Sequence, residues 1–199
     1  MIAVITGDIM HSRDVNTSVW LNLLKSALKN YGNEPKDWEI YRGDSFQLSV
    51  DIKKAIEICF LIKATIKTIK VLDVRLAIGI GEIEYEADKV TESNGSAFIN
   101  SGECFEELKK YTMGMKTPSV EFDKIFNLVL QIFNTTADNW SPVTAEIIKF
   151  TLEHPDLNQN QIADKLNKSQ SSISEALKRG GYDELKELIS IYEEKIEKI

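Results

Sequence analysis

Apolar and polar positions alternate with two different periods along this chain, and the change of period marks its elements. Ile2 to Thr6 is a short β-branched run ended by Gly7-Asp8, the pattern of a buried strand. Thr17 or Ser18 then stands where a helix cap is needed, before a helix that carries Trp20, Leu21, Leu24, Ala27, Leu28 and Tyr31 on one side and stops at Gly32. Trp38 to Arg42 alternates. After Gly43-Asp44, Phe46, Leu48 and Val50 point one way while Ser45, Gln47 and Ser49 point the other, which predicts a hairpin in a sheet with one covered face. Asp51 can cap a long helix over about 53–70, and "VRLAIGIGEI" supplies a fourth strand. Beyond Glu84 the charged stretch "EYEADKVTESNG" reads as a loop or irregular hairpin, followed by helices near 96–110 and 123–134.

The resulting order, βαββαβ, predicts an α+β protein whose first domain is a ferredoxin-like unit, with strands in the sequence four, one, three, two and both helices on one face. Strand one ends on the sheet edge where the hairpin turns, and neighbouring strands lie about 4.8 Å apart, so Asp8 and Asp44 are expected to meet. Strand four is expected to run parallel to strand one. That would bring Gly79, Gly81 and Glu82 to the same edge and send Arg75 to the opposite one, away from the site.

"TTADNW" is a connector by composition, and Ser141-Pro142 is a favourable helix start, with a cap followed by Pro at the first helical position. The expected division is a ferredoxin-like domain over 1–136 and an all-α domain over 141–199. In the second, Asn158 and Gln161 form a capping-box-like pair before Ile162, Ala163 and Leu166, and Ser169 caps a further helix that buries Ile173 and Ala176 or Leu177. That is a helix-turn-helix pattern. The final helix carries Leu185, Leu188, Tyr192, Ile196 and Ile199 at seam spacing, which leaves two uses open: homodimerisation, or packing on the chain's own core.

Composition narrows the class. The 199 residues are 43% hydrophobic, enough for an ordinary core, and the formal charge of −7 argues against coating nucleic acid or an anionic membrane by charge alone. Cys59 and Cys104 are too few for a disulfide framework, and no long uninterrupted apolar stretch or basic leader is present, so a cytoplasmic protein without membrane association is expected.

Two carboxylates converging on a sheet edge suit Mg²⁺, which takes one or two protein carboxylates and completes its shell with water and substrate phosphates. Asp8 and Asp44 are the candidate ligands, with Ile9, Gly43, Ser45, Gly79, Gly81 and Asn100 as candidate nucleotide contacts, the glycines allowing close approach of phosphate. Glu82 is a weaker third carboxylate, His11 a remote ligand candidate, and Arg13 and Arg42 candidate phosphate contacts. Against this stands the plain use of Gly-Asp as a hairpin turn. In the second domain Gln170, Ser171 and Ser174 would face bases of double-stranded DNA while Lys168, Lys178 and Arg179 reach phosphates. The segment from Ser141 onward has eight basic and eleven acidic residues, so DNA affinity would rest on a local patch, and a small protein-binding module is the competing use.

"ITGDI", "WEIYRGDSFQLSV", "DVRLAIGIGE", "SNGSAF" and "QSSIS" together resemble the bacterial SatD family over nearly the whole chain. More distantly, the first domain is similar to the palm of class III nucleotidyl cyclases and diguanylate cyclases, in which Asp-Ile closing the first strand and a Gly-Asp hairpin hold metal; Asp8-Ile9 and Gly43-Asp44 match. Those cyclases carry an Asn and, four residues later, an Arg. Here Asn100 is followed at that distance by Cys104, which cannot replace a cation. An intact carboxylate pair, a catalytic helix lacking its cation and a base-reading helix in one chain lead to the expectation of a cytoplasmic regulator coupling a nucleotide- and Mg²⁺-binding palm to a DNA-binding helix-turn-helix. The alternatives are a metal-dependent nucleotidyl cyclase or nucleotidyltransferase, and a non-catalytic interaction scaffold.

Overall fold

The computed structural model describes Met1–Ile199. The strands are β1 (Ile2–Met10), β2 (Trp38–Tyr41), β3 (Ser45–Val50), β4 (Asp73–Gly81) and β5 (Met113–Lys116). The α-helices are α1 (Thr17–Leu28), α2 (Ala55–Lys67), α3 (Ser96–Glu107), α4 (Val120–Ala137), α5 (Pro142–Glu153), α6 (Gln159–Leu166), α7 (Gln170–Gly180) and α8 (Tyr182–Ile196). The protein is α+β, with one five-stranded mixed sheet and eight helices.

Local chemistry accounts for most of the boundaries. Asp51 accepts from the Lys53 amide ahead of α2, Ser141 caps α5 with Pro142 behind it, Asn158 and Gln161 close a reciprocal capping box on α6, and Ser169 caps α7. The cap of α1 is Asn16, one residue before the expected Thr17 or Ser18; its side chain accepts from both the amide and the hydroxyl of Ser18. The α-helical part of the predicted 53–70 segment is shorter, with a 3₁₀ turn over Ile52–Lys54 before it.

The sheet order is β2-β3-β1-β4-β5, antiparallel throughout except for the β4–β5 pair. β4 therefore runs antiparallel to β1, contrary to the expectation from sequence. The reason is a count of reversals: the hairpin sets β3 against β1, and α2 then crosses back so that β4 runs with β3. Arg75 is paired in register with Asp8, while Gly79 and Gly81 lie opposite Val4 and Ile2 at the far edge. β5 has no counterpart in the sequence reading. "MGMK" offers neither β-branched residues nor alternation, and only the crossover through α3 carries it alongside β4.

The two faces of the sheet have different covers. Ala3, Ile5 and Ile9 of β1, Phe46 and Leu48 of β3, and Leu76, Ile78 and Ile80 of β4 enter the large core with Trp20, Leu24 and Leu28 of α1 and most of α2. α3 lies on the opposite face, where the Thr6 and Ser101 hydroxyls are 3.0 Å apart. Gly79 and Gly81 make that approach possible, since a methyl group on either would overlap the backbone at Ala97, Ser101 or Ser96.

A single apolar cluster of 42 buried residues continues from the sheet through α2 into α4–α8. Phe60 of α2 meets Phe133 edge-on at 5.2 Å and Trp140 at 6.2 Å. Half of the expected "TTADNW" connector is the last turn of α4, and the residues on either side of it share one core, which explains why α2 is apolar almost all round and buries twelve of its thirteen residues. Leu185, Leu188, Tyr192 and Ile196 of α8 are buried in the same cluster, and the Tyr192 hydroxyl donates to the Ile52 carbonyl at 2.6 Å. The seam of the last helix is used inside the chain.

Candidate functional site: the polar sheet face and the α6–α7 helix pair

Pairing register decides which side chains share the α3 side of the sheet. Directly opposed residues point the same way, so Tyr41, Ser45, Asp8 and Arg75 form one row across four strands, and Glu39, Gln47, Thr6 and Ala77 form the next. Covered by α3 only in part, this face is a mostly polar shelf beside the hairpin.

Asp8 and Asp44 are brought together at backbone level: the Ile9 amide donates to the Asp44 carbonyl at 3.1 Å, and Asp8 lies opposite Ser45. Their carboxylates have separate partners. Asp8 Oδ2 accepts from the Arg75 guanidinium at 2.9 Å, and Ser45 donates to Oδ1 at 3.4 Å. Asp44 Oδ2 accepts from the Ser12 hydroxyl at 2.5 Å. Arg75 also lies over the Phe105 ring, 5.0 Å from its centroid, which orients the guanidinium plane. Burial, reinforced by the Asp8 charge and opposed by Arg42, pushes the Tyr41 hydroxyl above its ordinary pKa.

The remaining predicted positions divide. Gly43 has φ +92° in an open turn, with nothing near its missing Cβ, and Arg42 before it also takes positive φ and is exposed. The side chain of Ile9 is buried in the core and its amide is used, so it offers no free contact. Gly79 and Gly81 are covered by α3, and Asn100 donates to the Ile80 carbonyl at 2.7 Å, at the edge away from Asp8. Glu82 is also at that far edge, paired with the N-terminal amine at 3.3 Å. These four fall outside the shelf's Asp8 end because β4 runs opposite to the expected direction. His11 faces Asp14 at 3.4 Å, and Arg13 is exposed.

Sequence reasoning missed Arg75, Ser12, Tyr41 and the Thr6–Gln47–Ser101 cluster. The signal for Arg75 was strand direction: in a βαββαβ order β4 runs antiparallel to β1, which sets the start of β4 beside the end of β1.

Two carboxylates are the number Mg²⁺ takes from protein, and Asp8 and the turn residue Asp44 are joined at backbone level, while their side chains are held by separate partners, Arg75 and Ser12. Arg75 holds Asp8 in the arrangement observed and must yield Oδ2 to any cation placed there. No group of three or more His, Cys, Asp or Glu side chains that could hold a metal is gathered anywhere in the protein, this face included.

In the α6–α7 pair, Asn167 takes the left-handed conformation, φ 52°, between the helices. Ile162, Ala163, Ile173, Ala176 and Leu177 are buried, leaving Gln170 and Ser171 exposed at the start of α7 and Lys178 and Arg179 exposed near its end. Ser174 is half-buried. Gln170 donates to the Gln159 side chain at 2.9 Å. Lys168 pairs with Glu146 at 3.0 Å and Arg179 with Glu175 at 3.5 Å.

No helix is long and apolar enough to cross a membrane. Comparison with curated proteins and with solved structures finds no match. The model of the SatD family matches residues 1–186, nearly the full length of the chain, and the protein therefore belongs to the SatD family.

Proposed function

We propose that this protein is a cytoplasmic regulator in which a ferredoxin-like palm binds a nucleotide on its polar sheet face, with Mg²⁺ between Asp8 and Asp44, and a C-terminal helix-turn-helix binds double-stranded DNA. The observation that carries the DNA part is the division of α7: an apolar side buried against the neighbouring helices, and an exposed start bearing Gln170 and Ser171. Those residue types at that position read base edges, Gln being suited to adenine, while Lys178 and Arg179 reach phosphate. Lys168 contributes less, since Glu146 neutralises it. The nucleotide part is supported by the shelf of Tyr41, Ser45, Asp8, Arg75 and Gln47 beside an open Gly43 turn.

Selection from a random duplex library followed by titration tests the DNA reading. A recovered sequence preference that is lost with Gln170→Ala, and a shallower salt dependence with Lys178→Ala, are expected. Binding with no sequence preference, or none at all, contradicts it. For the palm, saturable nucleotide binding that survives both Asp8→Ala and Asp44→Ala contradicts the site.

A second reading, a metal-dependent nucleotidyl cyclase or nucleotidyltransferase, gains from one finding. Arg75 supplies a guanidinium next to Asp8, offsetting the cation missing at Cys104. Incubation with each nucleoside triphosphate and Mn²⁺, with pyrophosphate release as readout, decides between the readings.

A further inference from the structure

The longest helix of the protein leaves an apolar stripe uncovered. On α4, Ile125, Leu128, Val129 and Ile132 are 53%, 57%, 36% and 62% exposed, at spacings that place them on one side, while Phe122, Phe126, Leu130 and Phe133 take the adjoining side into the core. α8 packs antiparallel to α4: Phe126 meets Tyr192 at 5.7 Å, and Phe133 lies beside Gly181. Between the two helices runs an apolar groove of about 420 Å³, floored by Phe122, Phe126 and Leu188 and edged by Ile191, itself 44% exposed. Isolated exposed apolar residues are ordinary; a contiguous stripe beside an apolar groove marks an interaction surface.

The charges along the groove identify the occupant. Glu184 and Glu187 line its wall at the start of α8, and Lys195 and, just past the helix end, Lys198 line the same wall at the other end, both also paired with Glu194 at 3.3 and 3.0 Å. They are arranged symmetrically about Ile191: Glu184 and Lys198 each stand seven residues from it, Glu187 and Lys195 each four. A stripe that is acidic on one side of its centre and basic at equal distances on the other is complementary to itself when turned end for end. An isologous two-fold contact performs that operation. We infer that the α4–α8 face is a homodimer interface, with the dyad passing near Ile191, each Glu184–Glu187 segment facing the partner copy's basic segment, and the α4 stripes supplying the apolar area.

The charge pairs fix register and orientation more than they add affinity, because exposed ion pairs are individually weak, and the apolar stripe provides the main attraction. The contact would also bring two copies of α7 into one assembly, since Lys178 and Arg179 line an adjoining hollow with Val129 and Ile132. The inference stands whether or not α7 binds DNA.

Sedimentation equilibrium on the full chain tests it. The wild type is expected to dimerise at tens of micromolar or below, and Leu128→Glu/Ile132→Glu, at exposed positions whose folding can be checked by circular dichroism, to raise the dissociation constant at least tenfold. Glu184→Lys/Glu187→Lys makes the stripe wholly basic and Lys195→Glu/Lys198→Glu makes it wholly acidic. Each alone is expected to weaken self-association, and mixing the two to restore a heterodimer. A wild type monomeric throughout, a dimer untouched by the α4 substitutions, or charge variants with no preference for each other overturns the interface.

Discussion

The Arg75 guanidinium lies 2.9 Å from Oδ2 of Asp8, across a strand pair in which the two residues are directly opposed. Antiparallel pairing makes this contact possible and puts a fixed positive group beside the carboxylate proposed to hold a cation. The Phe105 ring beneath the guanidinium and its partial burial favour this geometry over a solvated one. On the proposed reading, Arg75 would compete with a metal ion for Asp8 and would offer a donor to an anionic ligand.

Those two roles separate on substitution. Arg75→Ala is expected to strengthen Mn²⁺ binding in the absence of nucleotide, by freeing Oδ2, and to weaken nucleotide binding about tenfold or more, the effect of losing a charge-assisted hydrogen bond of about 1.5–3 kcal/mol. Calorimetric titration measures both; a change of the same sign for metal and nucleotide would show that Arg75 does not divide them.

Gly79 tests the position of α3. Gly79→Ala pushes a methyl group into the backbone of Ala97 and Ser101, neither of which can rotate away. A loss of about 1–3 kcal/mol is expected, the cost of overpacking a tight contact, together with faster hydrogen exchange in α3. Gly43→Ala, in an open turn at positive φ, should cost about 1 kcal/mol through backbone strain alone and leave α3 exchange unchanged.

Lys63 joins the sheet to the α4–α5 junction. Its side chain is fully buried, with Nζ 2.8 Å from Asp73 and 2.7 Å from Asp138. Lys67 adds a second link, to Asp73 at 3.0 Å and to the Asp138 carbonyl at 2.7 Å. Lys63→Met leaves two carboxylates with one cation fewer and is expected to cost about 3–5 kcal/mol in denaturant unfolding. Because the core is continuous, the transition should remain single when followed by probes on either side of the connector.

Both thiols are buried and held in the protonated form. Burial is the largest cause raising the Cys104 pKa, to about 12, and Cys59, fully buried, is raised further. Since the thiolate is the reactive form, native protein is expected to resist alkylation through pH 9, and both cysteines to react once denatured. Rapid modification of Cys104 in native protein would mean that α3 opens from the sheet.

Element types and caps were legible along the chain because their causes act over a few residues. The Asn158–Gln161 box, Ser169 before α7, Ser141-Pro142, and the alternation of Phe46, Leu48 and Val50 each declare themselves locally. The meeting of the Asp8 and Asp44 backbones was also readable, since the hairpin and the end of β1 must share an edge. The direction of β4 was legible as well: in a βαββαβ order with strands four, one, three, two all neighbours are antiparallel, and that direction puts Arg75 rather than Gly79, Gly81 and Asn100 at the Asp8 end of the shelf. Tertiary structure alone decided that "MGMK" becomes a strand, that the α8 seam turns inward, and that α4 keeps an apolar stripe outside. The pairing of a short strand and the choice of helix face depend on burial between segments distant in the chain, and a residue's own neighbours carry no record of which partner the fold will bring to it.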